Sequence, residues 1–170
     1  MRLDIDKQPV YLVVMDMLPV DRSASDHFQL GADEITVLAT SAQTRGDLFA
    51  VEVRMPPGGG PPVIHRHDPS EIYYILEGEF TFYVGDGNGT PRQVTAGAGD
   101  VVPLPGGTPH TVRNQSDVDA VAFVVHTPGP VMEGFTRAAT ALAIAGSPSI
   151  EDVLSLAERH GVEMLGPIPT

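Results

Sequence analysis

A chain of 170 residues with 42% hydrophobic content is long enough for one domain with a sizeable core, and a formal charge of -12 without any run of Lys or Arg argues against a nucleic-acid partner, because such a surface repels a phosphate backbone. The absence of cysteine excludes disulfides, thiolate nucleophiles and cysteine-based metal sites, so a metal would have to be held by nitrogen or oxygen; it also fits a cytoplasmic location. With 18 Gly and 16 Pro in no regular period, the composition predicts short strands joined by many turns, an all-β body.

The first twenty residues, MRLDIDKQPVYLVVMDMLPV, contain an apolar run. They also carry Asp4, Asp6 and Asp16 and lack the basic, apolar, cleavage-site order of a secretory signal, so they are expected to belong to the mature fold. VYLVVMDML predicts a strand, either in the main sheet or lent to a neighbouring subunit. Every apolar run is short and broken by charge or proline, which predicts no membrane span. The expected organisation is an N-terminal arm over residues 1–30, a β-barrel over 31–128 and a helical extension over 129–170.

In DLFAVEVRM, Phe49, Val51 and Val53 share one parity while Glu52 and Arg54 share the other, which predicts a strand with one buried face; Phe80, Phe82 and Val84 repeat the pattern. Between such runs stand PPGGGPP (56–62), GDGNGTP (85–91), GAGD (97–100) and PGGTP (105–109), the turn rhythm of a sandwich or barrel. Ala-rich 131–145, followed by Gly146, predicts one helix. SPSIEDVLSLAERHG predicts a second, with Ser149 as cap, Glu151 and Asp152 at the positive end of the dipole, a stripe of Val153, Leu156 and Ala157, and Gly161 as its end. Both are expected to pack outside the barrel.

The chemistry is concentrated in GGPPVIHRHDPSEIYYILEG (59–78). Two histidines one residue apart, followed by a glutamate, sit inside an apolar strand where charged groups are seldom buried without partners. Alternation puts His65 and His67 on one face with backbones about 7 Å apart, so both imidazoles can converge on one ion. Asp68, Pro69 and Ser70 predict a turn, and Glu71 then opens a strand whose interior parity it shares with Tyr73 and Ile75. Two imidazoles and a carboxylate suit iron, manganese, nickel, cobalt or zinc. A further ligand is available from GDVVPLPGGTPHTVRN (99–114), where His110 follows a Pro/Gly turn at the head of a strand. Gly78, Gly107 and Asn114 are read as turn and packing residues. His126, on a strand that could face either way, is read as an ordinary partnered histidine ahead of a role in the pocket or in support of the ligands, His27 and His160 as solvated, and Tyr11, Tyr74 and Tyr83 as filling a sheet or a subunit interface.

The two stretches read G(x)5HxH(x)3E(x)6G, from Gly59 to Gly78, and G(x)5PxG(x)2H(x)3N, from Gly99 to Asn114. They resemble the two motifs of the cupin superfamily, with every fixed position filled. The resemblance implies a single antiparallel jelly-roll barrel holding one divalent metal ion (Fe, Ni, Co, Mn or Zn) through His65, His67, Glu71 and His110. The Gly/Pro-rich approach and the tail LAERHGVEMLGP (156–167) are similar to the bacterial single-domain cupins grouped with quercetin 2,3-dioxygenase. That likeness implies a metal-dependent dioxygenase acting with O2 on a flavonol-like or other enolic or aromatic small molecule. Glu71 would then be ligand and catalytic base, taking the substrate hydroxyl proton, and Tyr73, Ile75, Phe80, Phe82 and Val112 would wall an apolar pocket. The same ligands would serve a non-redox cupin enzyme, an isomerase or decarboxylase, or a small-molecule-binding cupin without catalysis. Chains of this family and size are expected to pair as homodimers.

Overall fold

Strand alternation organises the molecule, whose computed structural model describes residues 19–85 and 90–168. The expected strand at 10–18, with Tyr11, lies outside the described residues. Six strands form one antiparallel sheet: β1 (His27–Leu30), β2 (Asp33–Ala39), β3 (Phe49–Met55), β10 (Ala120–Thr127), β5 (Ser70–Glu77) and β8 (Val101–Leu104), in that spatial order. Five form the second, in the order β11 (Glu163–Pro167), β4 (Val63–Arg66), β9 (His110–Arg113), β6 (Glu79–Val84) and β7 (Arg92–Gly97). Late strands lie between early ones in each sheet, β10 between β3 and β5 and β9 between β4 and β6. This interleaving is a jelly-roll arrangement, the architecture that the motifs implied.

The sheets share one core because each presents an apolar face. On β5, Glu71, Tyr73 and Ile75 are buried while Ile72, Tyr74 and Leu76 are exposed, as the parity of the sequence required. Phe49 and Ile75 from the first sheet meet Phe80 and Phe82 from the second, all four fully excluded from solvent. Burying side chains of this size contributes roughly 1.5–3 kcal/mol each. The Tyr73 and Phe82 rings add an edge-to-face contact at 5.2 Å, worth about 1 kcal/mol beyond area.

Two turn positions show why each needs its own residue. Gly78 has φ +69°, and a side-chain carbon there would stand 2.5 Å from the Asp119 carbonyl oxygen. Asn114, fully buried, takes over hydrogen bonding where the chain leaves β9. Its amide donates to the Met55 and Val118 carbonyls at 2.8 and 2.7 Å, and its Oδ1 accepts from the Ser116 backbone N–H at 3.0 Å.

Two helices follow β10. The first, α1 (Pro130–Ile144), is docked by Glu133, whose carboxylate accepts from the backbone N–H and hydroxyl of Ser41 at 2.7 and 2.5 Å, while Arg137 reaches Asp26 at 2.8 Å. The second, α2 (Ile150–Arg159), starts at Ser149 with a full capping box to Asp152 and gives way to Gly161 in the left-handed region. Its buried stripe is narrower than expected: Leu156 and Ala157 are covered, but Val153 is 38% exposed, because only the C-terminal half of the helix meets the body. Strand β11 had no sequence signature. Five residues containing Gly166 and Pro167 pair antiparallel with β4, with a register shift between Met164 and Gly166. No helix among the described residues is long and apolar enough to cross a membrane.

Candidate metal centre

Two cross-strand pairs, one from each sheet, face the interior at the same end. His65 on β4 stands opposite His110 on β9, and Glu71 on β5 stands opposite His126 on β10. His67 lies one residue beyond β4, so strand pairing does not place it; the turn does. Its carbonyl accepts from Gly107 N–H at 2.7 Å, the following turn is tied by Gly106 N–H to the Ser70 hydroxyl at 3.0 Å, and Gly106 has no room for a side chain, whose first carbon would lie 1.9 Å from the Asp68 carbonyl oxygen. The loop that leads to His110 is thereby clamped onto the loop that carries His67. Two motifs far apart in sequence become one site.

Three imidazoles converge here: ligand nitrogens of His65, His67 and His110 all lie within 4.8 Å of one another. Their Nδ1 atoms sit 3.2, 2.9 and 2.8 Å from the carbonyl oxygens of Val63, Pro69 and Thr108. A carbonyl can only accept, so each Nδ1 carries the ring proton and each Nε2 is left with a lone pair, the tautomer a metal ligand requires. Glu71 closes the group, with Oε1 at 2.9 Å from His67 Nε2 and Oε2 at 3.5 Å from His110 Nε2.

Among the described residues, these inward atoms make no aligned hydrogen bond. His67 Nε2, His110 Nε2, Glu71 Oε2 and His126 Nδ1 are buried without a hydrogen bond, and leaving such groups unsatisfied costs about 1–3 kcal/mol each. Lone pairs facing a carboxylate at these separations need a cation among them. A single proton satisfies one pair; a divalent ion satisfies the imidazoles of His65, His67 and His110 together with Glu71, and three nitrogens with a carboxylate form a donor set for a first-row transition metal. The residues present fit such an ion.

The electrostatics agree. Burial, helped by the neighbouring His110, pushes the His65 imidazole down to about 4, so it is neutral and available as a ligand over the ordinary pH range. Burial works to raise the Glu71 carboxyl, but His126, His110 and His67 outweigh it and hold it well below the usual carboxylate range, hence ionised. For His110, burial works downward and the Glu71 carboxylate overcomes it, so this imidazole is raised. Burial first and Glu71 second hold the Tyr73 phenol well above its ordinary value, keeping it protonated beside the carboxylate.

Of the five residues expected to line a pocket, Tyr73 touches the electrostatics of the centre through Glu71. Ile75, Phe80, Phe82 and Val112 belong to the apolar core between the sheets. The sequence reading left one residue out of the centre. His126 is 7% exposed, its Nδ1 stands 3.1 Å from Glu71 Oε1, and its ring stacks on Phe49 at 5.9 Å. Its parity with Ala122 and Val124 was the available signal, since both are buried and point inward on the same strand. His27 is exposed, and His160 lies against Phe135 with ring centroids 6.4 Å apart.

Residues 51–126 match the family model described as Cupin domain. Among solved structures, a variant of the oxalate decarboxylase of B. subtilis superposes with a TM-score of 0.56 at 22% identity, covering 64% of this chain and 29% of that one. A protein described as a predicted oxalate decarboxylase from Thermotoga maritima gives 0.54 at 24% identity, covering 63% and 96%. A cupin sugar phosphate isomerase from Silicibacter pomeroyi gives 0.51 at 19%, covering 63% and 73%. The chain thus spans under a third of the B. subtilis enzyme, 29% of its length. No curated protein sequence matches it.

Proposed function

We propose that this chain, whose residues 51–126 match the model described as Cupin domain, is a metal-dependent cupin enzyme in which His65, His67, Glu71 and His110 hold one divalent transition metal ion and a small oxygen-bearing molecule is the substrate. The observation that carries this reading is the set of inward Nε2 lone pairs, two of them buried with no hydrogen bond among the described residues and facing an ionised, buried carboxylate. When bound, such an ion polarises a substrate oxygen as a Lewis acid. The chain's residues do the rest. Val63, Pro69 and Thr108 carbonyls fix the imidazole tautomers, and the packed interior keeps bulk water from the charged groups. Glu71 is the group placed to take a substrate proton. Its depressed pKa keeps it anionic and makes it a weak base, which suits abstraction from an already acidified hydroxyl or carboxyl group.

The reaction class favoured is non-redox, a decarboxylation or isomerisation of a small carboxylate or enolisable substrate, in line with the decarboxylase and isomerase among the fold neighbours. A dioxygenase using O2 on an enolic or flavonol-like substrate is the second reading, supported by the likeness of LAERHGVEMLGP (156–167) to quercetinase-like cupins. Pairing with a second copy and a cytoplasmic location complete the proposal.

The test uses metal-loaded and chelator-stripped protein. Release of CO2 from oxalate or related small acids, or isomerisation of a sugar phosphate, dependent on the metal, supports the non-redox reading. Metal-dependent O2 uptake on adding a flavonol, with no turnover of those substrates, moves the assignment to the dioxygenase. No turnover of either kind by protein with full occupancy leaves a binding protein and refutes the enzyme.

A further inference from the structure

We propose that His126 is a positioning residue of this centre: it holds Oε1 of Glu71, so that the carboxylate keeps one orientation toward His65, His67 and His110. The inference rests on the metal reading above and adds to it a residue that lies outside both sequence motifs.

The placement is set by the strand register. On β10, Ala122, Val124 and His126 share the buried face, and His126 is the direct cross-strand partner of Glu71. Apolar neighbours alone do not explain an imidazole here, since burying one without a use for its nitrogen costs about 1–3 kcal/mol. Phe49, itself fully buried, stacks on the ring at 5.9 Å and 21° and so limits its rotation. The nitrogen it leaves facing inward, Nδ1, stands 3.1 Å from Glu71 Oε1.

The proton bookkeeping separates this histidine from the other three. In His65, His67 and His110 the Nδ1 proton is committed to a backbone carbonyl, and Nε2 faces the centre as a lone pair. In His126 it is Nδ1 that faces the carboxylate. An ionised carboxylate only accepts, so His126 meets it as an N–H donor, not as a ligand. The distance is that of a hydrogen bond, though the alignment falls short of one; such contacts commonly tighten when a site is filled.

The need for a positioning group follows from the side chain. The terminal torsion of glutamate is broad and nearly two-fold, so a carboxylate held only from the metal side can turn. Glu71 Oε1 is flanked instead by His67 at 2.9 Å and His126 at 3.1 Å. Removing the second flank frees the rotation and forces the ion to order it on binding.

The experiment measures Co2+ affinity by competition with a chelator, the visible spectrum of bound Co2+, and the urea stability of the metal-free proteins, for wild type, H126F, H126L and H126N. Asn places an N–H close to where Nδ1 stands; Phe and Leu supply none. The expected result is affinity lower by about 10–100-fold in H126F and H126L, with shifted Co2+ bands, and recovery of most of that loss in H126N irrespective of the ranking in metal-free stability. Wild-type affinity and spectrum in the donor-less variants, or an H126N no better than they are, overturns the proposal. If H126F does not fold, H126L and H126N make the same comparison. A wild-type protein that takes up no Co2+ overturns the metal reading and this inference together, whereas a wild type that binds and an H126F that binds equally well sinks this inference alone.

Discussion

The acid response of the metal-free protein follows from His65. Its imidazole is lowered from 6.5 to about 4, so between these values the unfolded chain takes up a proton that the folded chain refuses. Stability tied to this group is therefore intact above about pH 6.5 and is lost as the pH falls toward 4. Integrating the linkage for that shift gives a loss of about 2 kcal/mol at pH 5 and about 3 kcal/mol at pH 4 relative to pH 7. The perturbation is His65→Asn, which removes the titrating ring, and the assay is urea unfolding with chelator present at pH 7, 5 and 4 for both proteins. Between pH 7 and pH 4 wild type should lose about 3 kcal/mol more than the variant. His110 supplies an internal contrast. Its folded pKa is raised, so its contribution is fully present below its unfolded value and is lost as the pH rises through the folded one, and His110→Asn should show the opposite slope. A wild-type-minus-H65N difference that is flat within about 1 kcal/mol from pH 7 to 4, or that runs the other way, refutes the reasoning.

Three further outcomes follow from the site and its support. Glu71→Gln removes the one anion among the proposed ligands, and Co2+ affinity measured by chelator competition should fall by more than about 100-fold, beyond the range of an outer-shell change. Gly106→Ala drives a side chain onto the Asp68 carbonyl, 1.9 Å away in the unrelaxed structure. It should displace the turn carrying His67, lowering stability by about 1–3 kcal/mol in urea unfolding and weakening metal binding in the same titration. Asn114→Ala removes the buried amide that donates to the Met55 and Val118 carbonyls, leaving Val118 with the Ser116 hydroxyl. A destabilisation of about 2–4 kcal/mol is expected from urea midpoints, with the pH slope due to His65 unchanged.

What the sequence disclosed and what it withheld divide along physical lines. Period-two alternation in DLFAVEVRM and EIYYIL carried the inward faces of β3 and β5, because one buried face leaves a readable trace. Ser149, Asp152 and Gly161 announced α2 through cap chemistry. The HxH spacing and the Pro/Gly turn before His110 marked the converging imidazoles, since those residue types have no packing use inside an apolar strand. His126 was half legible: its parity with Ala122 and Val124 marked an inward face, but nothing tied it to Glu71. A lone histidine on a strand carries no spacing signal, and its partner Glu71 lies 55 positions away by sequence number, joined to it only by the β5–β10 register. Strand β11 was hidden because Gly166 and Pro167 read as turn, and it is held by pairing with β4 at the sheet edge instead of by an apolar face. The turn that aims His67 depends on Gly106 lying against Asp68, a tertiary contact that neither residue's neighbours in sequence disclose.

The central claim, one divalent ion held by three imidazoles and a carboxylate between the two sheets, is tested most directly by diffraction at the cobalt absorption edge from crystals of protein loaded with Co2+. The account predicts a single anomalous peak per chain, about 2.1 Å from Nε2 of His65, His67 and His110 and in contact with Glu71. A peak elsewhere, or none at these four side chains with the salt in excess, contradicts it.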